Sequence, residues 1–376
     1  MRIAFVKKRF SLHGGAERYL ETLIDAFKKN GHEIHIFANK WTEAQDVIFH
    51  KIPAISFNSY LSITSFNKNV CRLIEGGWKD DCVISLERTV CQDIYRAGEG
   101  CHAEWLEIRS RFEPAFKRAS FNLNPLHRTL LNIEKKLFQN TPLIVANSKM
   151  VKDQIIKHYG VEEDRITVIY NGVDLERFSL QNRDSMRNEL RQSLAISENA
   201  KVVLFVGTGF ERKGLKTLIN AAALLREKNV RLIVIGKGNT QKYAKQAADA
   251  VIGERFVFLD TQKNIEKIYA AADLFVLPTL YDPFSNATIE AMASGVAVIT
   301  TRNNGASELV VNGQNGFVTE SISDAAELAE KMDAAFKNSS EMGKNARATA
   351  ELYPVENAVK GFCGLINKVK ENKNRS

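Results

Sequence analysis

Apolar and polar positions along this chain fall into two successive series with the same rhythm. RIAFV (2–6), EIHIFA (33–38), CVISL (82–86), LIVANS (143–148) and ITVIY (166–170) are short, nearly continuous apolar runs, as expected of strands covered on both faces. Between them, AERYLETLIDAFKK (16–29) and KMVKDQIIKHY (149–159) repeat apolar residues at helical spacing and predict amphipathic helices. The rhythm restarts after residue 200 with KVVLFVG, LKTLINAAALLREKN, RLIVIG, RFVFLD, DLFVLP and VAVITT. Strands alternating with helices of this length predict βαβ units and parallel sheets. Two such series, each opening with a strand and a glycine loop, predict an α/β protein of two Rossmann-like domains.

The polar stretch NGVDLERFSLQNR (171–183), with its Asn-Gly turn signal, marks the boundary. The expected parts are 1–175, 176–352 and a terminal helix in 353–376, whose periodicity alone leaves open which domain it packs on. A length of 376 residues suits two cores better than one. No run of 18 or more apolar residues predicts a membrane span, and MRIAFVKKRF has the wrong order of charge and apolar residues for a secretory signal. The five cysteines lack CxxC spacing, so reduced thiols in a cytoplasmic protein are expected. The net charge of +8 points to an anionic partner.

Three glycine loops follow strands. In SLHGGAERYL, Gly14 and Gly15 open a helix whose free N–H groups and dipole suit phosphate; the alternative is a tight turn that only needs glycine. VGTGFERKG (206–214) sets Arg212 and Lys213 before a helix, beyond Gly207. A guanidinium fork and a compact ammonium suit a diphosphate leaving group. Neither this loop nor GKGN (236–239) is a Walker sequence, and neither half carries the full dinucleotide fingerprint, which disfavours a nicotinamide dehydrogenase.

YDPFSNATIEAMASG (281–295) holds two acids, Asp282 after a strand and Glu290 about one turn into the following helix, which Gly295 ends. Ser285 or Asn286 can cap that helix, and the N–H groups of residues 284–287 can face an anion. Acceptors for hydroxyls flank donors for phosphate, which is the polarity of a nucleotide-sugar. An aspartate as turn former and a glutamate as dipole partner is the alternative.

These residues resemble the E-x7-E segment of retaining GT-B glycosyltransferases of family four. The resemblance extends through the Gly14-Gly15 loop, NGVD (171–174), FERKG (210–214), AADLFVLP (271–278) and GASELV…GQNGFV (305–318). DIYRAGEGCHAEWLE (93–107) resembles a segment of lipopolysaccharide core glucosyltransferases. The family implies two Rossmann-like domains facing across a cleft, with the acceptor held largely by the first, the donor by the second, and the last helix crossing back to the first. It implies that Arg212 and Lys213 grip the donor diphosphate, Glu290 bonds the ribose and Asp282 takes hydroxyls of the transferred sugar. Phe284, Ser285 and Asn286 would lend backbone donors, Gly15 would lie against the phosphate, and Glu99 and His102 would face the reacting carbon or the acceptor. It further implies a retaining, metal-independent hexosyltransferase that needs no cofactor beyond its UDP-sugar donor. In this chain Asp282 stands where most of the family has Glu, and Thr208 follows Gly207 where many have Arg.

The segment RSRFEPAFKRASFNLNPLHRTLLNIEKK (109–136) carries seven basic residues against two acids. Arg109, Arg111, Lys117 and Arg118 are interleaved with Phe112, Phe116 and Phe121, which suits the face of an anionic membrane; an ordinary amphipathic helix with its phenylalanines in the core is the alternative. No nucleic-acid module accompanies it. The expectation is a peripheral cytoplasmic enzyme moving a hexose, with glucose from UDP-glucose the leading choice, onto a lipid-linked saccharide such as a lipopolysaccharide core heptose. A capsule or exopolysaccharide acceptor is one alternative; a non-catalytic nucleotide-sugar sensor or membrane scaffold is another.

Overall fold

The computed structural model describes residues 1–9, 15–41, 47–78 and 81–375, without the side chains of residues 15–19, 116, 119, 122 and 375. Gly14 and the side chain of Phe116 therefore lie outside the described residues. The chain divides into two units, Met1–Asn171 with Val355–Ser376, and Gly172–Pro354. The first division falls four residues before the expected 175 and the second two residues after 352.

In the first unit the strands are β1 (Arg2–Val6), β2 (Glu33–Ala38), β3 (Ile48–Lys51), β4 (Cys82–Ser85), β5 (Ile94–Arg96), β6 (Leu143–Ala146) and β7 (Ile166–Val168). They form one sheet in the order β3-β2-β1-β4-β5-β6-β7, every pair parallel. Its helices are α1 (Gly15–Lys29), α2 (Ser59–Glu75), α3 (His102–Phe112), α4 (Ala115–Leu123), α5 (Pro125–Asn140) and α6 (Lys149–Tyr159). The central strands carry apolar side chains on both faces, and helices supply the two covering layers. On one face Phe5 and Ile84 pack with Leu23 and Phe27 of α1; on the other Ala4, Val6 and Val83 pack with Phe66 and Val70 of α2.

The second unit repeats the plan with β8 (Lys201–Val206), β9 (Val230–Ile235), β10 (Phe256–Leu259), β11 (Leu274–Leu277), β12 (Ala297–Thr301) and β13 (Gly316–Thr319). Their order is β10-β9-β8-β11-β12-β13, again all parallel. Its helices are α7 (Arg183–Ser193), α8 (Leu215–Leu224), α9 (Thr240–Asp249), α10 (Ile265–Ala271), α11 (Asn286–Ala293) and α12 (Ala325–Ala350). The last helix, α13 (Val355–Arg375), belongs to the first unit. Its apolar stripe of Val355, Ala358, Phe362, Leu365, Ile366 and Val369 joins the cluster that holds Phe5 and Phe27.

Strand order reverses between β1 and β4 in one sheet and between β8 and β11 in the other. Open α/β sheets bind ligands outside the carboxyl ends of the strands at such a switch point. That directs attention to Lys7–Arg9 with Glu87–Arg88 in the first unit, and to 207–213 with 278–285 in the second.

The expectation of five thiols fails for one pair. Cys71 of α2 and Cys91 of the β4–β5 connection form a disulfide with Cα atoms 5.4 Å apart, within the span a disulfide needs. Helix packing brings them together across 20 residues of sequence, a separation that carries no signal in the sequence. Cys82, Cys101 and Cys363 are free thiols.

Candidate functional site

At the switch point of the second unit, two loops are bound to one another. The chain leaves β8 through Gly207, and the N–H of Gly207 donates to Ile235 O at the end of β9 (2.9 Å). Gly214 then enters α8 in the left-handed region at φ 78°, and a β-carbon there would lie 1.8 Å from Pro278 O. Only glycine meets both demands. The close approach lets the carbonyl of Arg212 accept from the Leu280 N–H (2.8 Å) and from the Thr279 hydroxyl (3.0 Å). The Arg212 guanidinium donates to Tyr281 O at 2.8 Å. The basic loop is thus strapped to the segment that carries the acids.

Lys213 and Asp282 form an ion pair, with side-chain exposures of 11% and 8%. The lysine stem runs over Gly207, where a β-carbon would lie 3.0 Å from Lys213 Cγ. Two charges this deep are stable only as partners. The sequence reading assigned Lys213 to the diphosphate and Asp282 to sugar hydroxyls separately; the structure joins them into one charged unit.

Asn304, fully buried, holds the acid segment in shape. Its Oδ1 accepts from the N–H groups of Ser285 and Ala306, both 3.1 Å. Its Nδ2 donates to the hydroxyls of Thr288 (3.1 Å) and Thr300 (2.9 Å). An amide of this kind has four such bonds to make, and all four are made. Asp282 is fixed through its backbone, its N–H donating to Asn303 O and its carbonyl accepting from Gly305 N–H, both 2.9 Å. The expectation that Ser285 offers its N–H to an anion is corrected here, because Asn304 takes it. Ser285 stands at the N-cap of α11 without a side-chain cap bond, so the hydroxyl cap also fails; Phe284 is buried beside it and Asn286 begins the helix.

Glu290 is half-buried on the second turn of α11. The fully buried Tyr269 of α10 donates its hydroxyl to Glu290 Oε2 (3.0 Å) and to Ala287 O (3.2 Å). That bond fixes one carboxylate oxygen and with it the direction of the group. Gly295 closes the helix at φ 69°.

In the first unit the expected pair Glu99 and His102 have different surroundings. Glu99, half-exposed, is paired with Arg88 and lies 3.9 Å from Lys7 Nζ. Arg88 donates from Nε to Glu134 Oε1 (2.8 Å) and from Nη2 to Gly100 O (3.2 Å). Glu134 has no solvent exposure; it also accepts from the His102 N–H (2.8 and 3.0 Å) and from the Tyr159 hydroxyl. The buried carboxylate thereby anchors Arg88, which in turn positions Glu99. The His102 ring is buried, its Nε2 hydrogen-bonded with His127 Nδ1 at 3.0 Å, and burial depresses its pKa to about 4. It is therefore neutral at neutral pH.

A cavity of about 580 Å³ opens at the β1–β4 switch point, with Lys7, Lys8, Arg9, Glu87, Arg88 and Glu99 around its polar side. Sequence reading missed Lys7–Arg9, Arg88, Glu134, Tyr269 and Asn304. Glu134 alone left a sequence signal: it falls on the same helical stripe as Leu130, Ile133 and Leu137.

Three of the seven basic residues of the segment 109–136 are paired with glutamates close in sequence. Arg109 bonds Glu113 (2.8 Å), Arg111 bonds Glu107 (2.9 Å) and Lys117 reaches Glu113 (3.2 Å). Phe121 is core, whereas Phe112, Arg118 and Leu123 are exposed. Among the described residues one trio could chelate a cation, Glu104, Glu107 and His158, and the Lys157 ammonium lies against it, 3.0 Å from Glu104 and 2.7 Å from Glu107. No described helix is long and apolar enough to cross a membrane.

Comparison with known proteins bears on both units. The description "Glycosyltransferase Family 4" matches residues 13–177 and "Glycosyl transferases group 1" matches residues 186–351. The chain is 23% identical over 370 residues to the lipopolysaccharide glucosyltransferase WaaG of Escherichia coli K12, covering 94% of this chain and 96% of that protein. A crystal structure of WaaG superposes with a TM-score of 0.83 at 22% identity, covering 95% of this chain and 98% of that one. Anabaena HepE in complex with UDP-glucose gives 0.71 at 20% identity, over the whole of both chains. An uncharacterized glycosyltransferase of Methanocaldococcus jannaschii is 29% identical over 177 residues, 46% of this chain and 45% of that protein. The chain spans about half the length of that relative. With both sheets parallel and both family descriptions matched in order, this chain belongs to the GT-B glycosyltransferases of the family 4 type.

Proposed function

We propose that the chain is a retaining hexosyltransferase that moves glucose from UDP-glucose to a lipid-linked saccharide of the lipopolysaccharide-core kind. The observation that carries the donor reading is the strapping of Arg212 and Lys213 to the segment of Asp282 and Glu290. Cations for a diphosphate stand beside carboxylates for hydroxyls on one rigid pair of loops. Glu290, aimed by Tyr269, bonds the ribose diol. Asp282 bonds hydroxyls of the transferred sugar while sharing Lys213, whose ammonium then faces growing negative charge on the leaving diphosphate. Fixed cations of this kind stabilise a departing phosphate as a metal ion does elsewhere. In the retaining reaction the acceptor hydroxyl attacks on the face that the diphosphate leaves, and its proton passes to the leaving phosphate oxygen. The likeness to WaaG supports glucose and a core saccharide, and the UDP-glucose complex of HepE supports the nucleotide.

Peripheral contact with an anionic membrane from the cytoplasmic side belongs to the same reading. Exposed Phe112, Leu123 and Arg118 support it, with Arg109, Arg111 and Lys117 engaged in ion pairs. Nucleoside diphosphate release tests the proposal, measured as UDP from UDP-glucose and UDP-galactose and as GDP from GDP-mannose, with deacylated core saccharide or a capsule-type saccharide as acceptor. Turnover is expected with UDP-glucose and core saccharide. Binding without turnover on any acceptor would sink the transferase reading in favour of a sensor.

A further inference from the structure

The cavity at the β1–β4 switch point has a lining that matches a particular class of ligand. Three consecutive residues after β1, Lys7, Lys8 and Arg9, share it with Glu87 and Arg88 after β4 and with Glu99. Four cations thus face two carboxylates. Arg88 is committed to Glu134 behind the wall and to Glu99 beside it, and Lys7 leans toward Glu99. Lys8 and Arg9 remain as cations with no side-chain ion pair among the described residues. Burial presses the Lys8 ammonium toward its neutral form, so an anion placed on it recovers a cost already paid.

Polar groups of other kinds complete the lining. The N-terminus of the 17-residue α2 opens here, with Asn58 capping the Leu61 N–H (2.9 Å). Ser62, only 8% exposed, lines the cavity and its hydroxyl makes no hydrogen bond to a described residue. Glu87 and Glu99 bring carboxylate oxygens, acceptors suited to sugar hydroxyls and repellent to a bare inorganic anion. Leu126 and Leu130 of α5 form an apolar side, a surface for the C–H face of a pyranose. The volume, about 580 Å³, is within the usual range for small-ligand sites.

We propose that this cavity is the acceptor pocket and that its ligand is a saccharide carrying a phosphate monoester. Lys8 and Arg9 take the phosphate; Glu87, Glu99 and Ser62 take hydroxyls. The word acceptor rests on the transferase reading given above, whereas the ligand chemistry rests on the lining alone.

Calorimetric titration of the full chain with glucose 6-phosphate, glucose and inorganic phosphate tests it, beside co-sedimentation with phosphatidylglycerol vesicles. Glucose 6-phosphate should bind more tightly than either glucose or phosphate. The double variant Lys8→Ala/Arg9→Ala, checked for an unchanged unfolding transition, should lose about 10- to 100-fold of that affinity, as expected for charge-assisted bonds, and keep its affinity for glucose. Ser62→Ala should weaken glucose 6-phosphate and glucose alike. Equal affinity for glucose and glucose 6-phosphate, or full retention by the double variant, overturns the proposal. So does vesicle binding lost in the double variant when no sugar phosphate binds, because the cations would then read lipid headgroups. UDP-glucose titrated into the unsubstituted chain separates the two readings: its failure to bind, with glucose 6-phosphate bound, refutes the transferase and leaves the pocket chemistry standing.

Discussion

Removing either member of the Lys213–Asp282 pair should harm the fold more than removing both. With side-chain exposures of 11% and 8%, either charge left alone would be almost wholly desolvated. Loss of one partner of a buried pair costs about 3–5 kcal/mol, while replacing both with neutral groups of similar size is close to neutral. Asp282→Asn leaves the ammonium facing an amide; Lys213→Met leaves the carboxylate against a thioether while keeping the stem over Gly207. Each single variant should therefore lose about 3 kcal/mol, and Lys213→Met/Asp282→Asn should lose less than either. The coupling energy follows from urea unfolding of the four proteins, followed by hydrogen exchange in the second unit so that the first does not obscure the transition. Additive losses, with a coupling below about 0.5 kcal/mol, would refute the reasoning: the pair would then be solvated and interchangeable with any surface ion pair. Stability is the useful readout because it does not depend on the donor, its sugar or the acceptor.

Tyr269→Phe removes the hydroxyl that aims Glu290 and should raise the KM for UDP-glucose about 3- to 10-fold with kcat little changed; a fall in kcat alone would contradict an aiming role. Alanine at Arg212 and Lys213 together should lower kcat about 100-fold or more at saturating UDP-glucose, the scale of a lost transition-state donor, and a silent double variant would remove both from the leaving-group role. His102 sets a pH dependence of stability. Its folded pKa is about 4 against an ordinary 6.5, so the unfolded chain binds the proton first, and the contribution, complete above about 6.5, is lost progressively as pH falls to about 4. After allowance for solvent screening the loss is on the order of 2 kcal/mol, visible as a urea midpoint that falls through that window. His102→Gln should flatten the slope, and an equal slope in both proteins would disprove the assignment.

Much of the architecture is legible where burial is two-sided or periodicity is strong. KMVKDQIIKHY coincides with α6, and the runs at 2–6 and 33–38 coincide with β1 and β2. Strands β3 and β5 escape notice for different reasons: IFHK is an exposed edge with no apolar run, and IYR is three residues long. The predicted helix LKTLINAAALLREKN overreaches, since α8 ends at Leu224 where apolar spacing gives way to charged REKN and Leu225 turns to ψ 137°. In the site, the acids and basic loop could be found because each follows a strand, the basic loop through its glycines and the acids on either side of a Pro-Phe-Ser-Asn turn. Asn304 and Tyr269 could not, because the partners that tie them to the acid segment, Thr288 and Ser285 for Asn304 and Glu290 for Tyr269, are 16, 19 and 21 residues away and are brought together by sheet and helix packing. Arg88 and Glu134 meet across 46 residues. Long-range polar networks are built by the fold, and only their local ends leave a trace in the sequence.

The central claim is that the second unit holds a nucleotide-sugar with Glu290 on the ribose. Its most direct test is the dissociation constant of UDP, measured by calorimetry on the full chain and on Glu290→Ala. Lost charge-assisted bonds of about 1.5–3 kcal/mol predict binding weaker by about 10- to 100-fold. An unchanged dissociation constant would contradict the account.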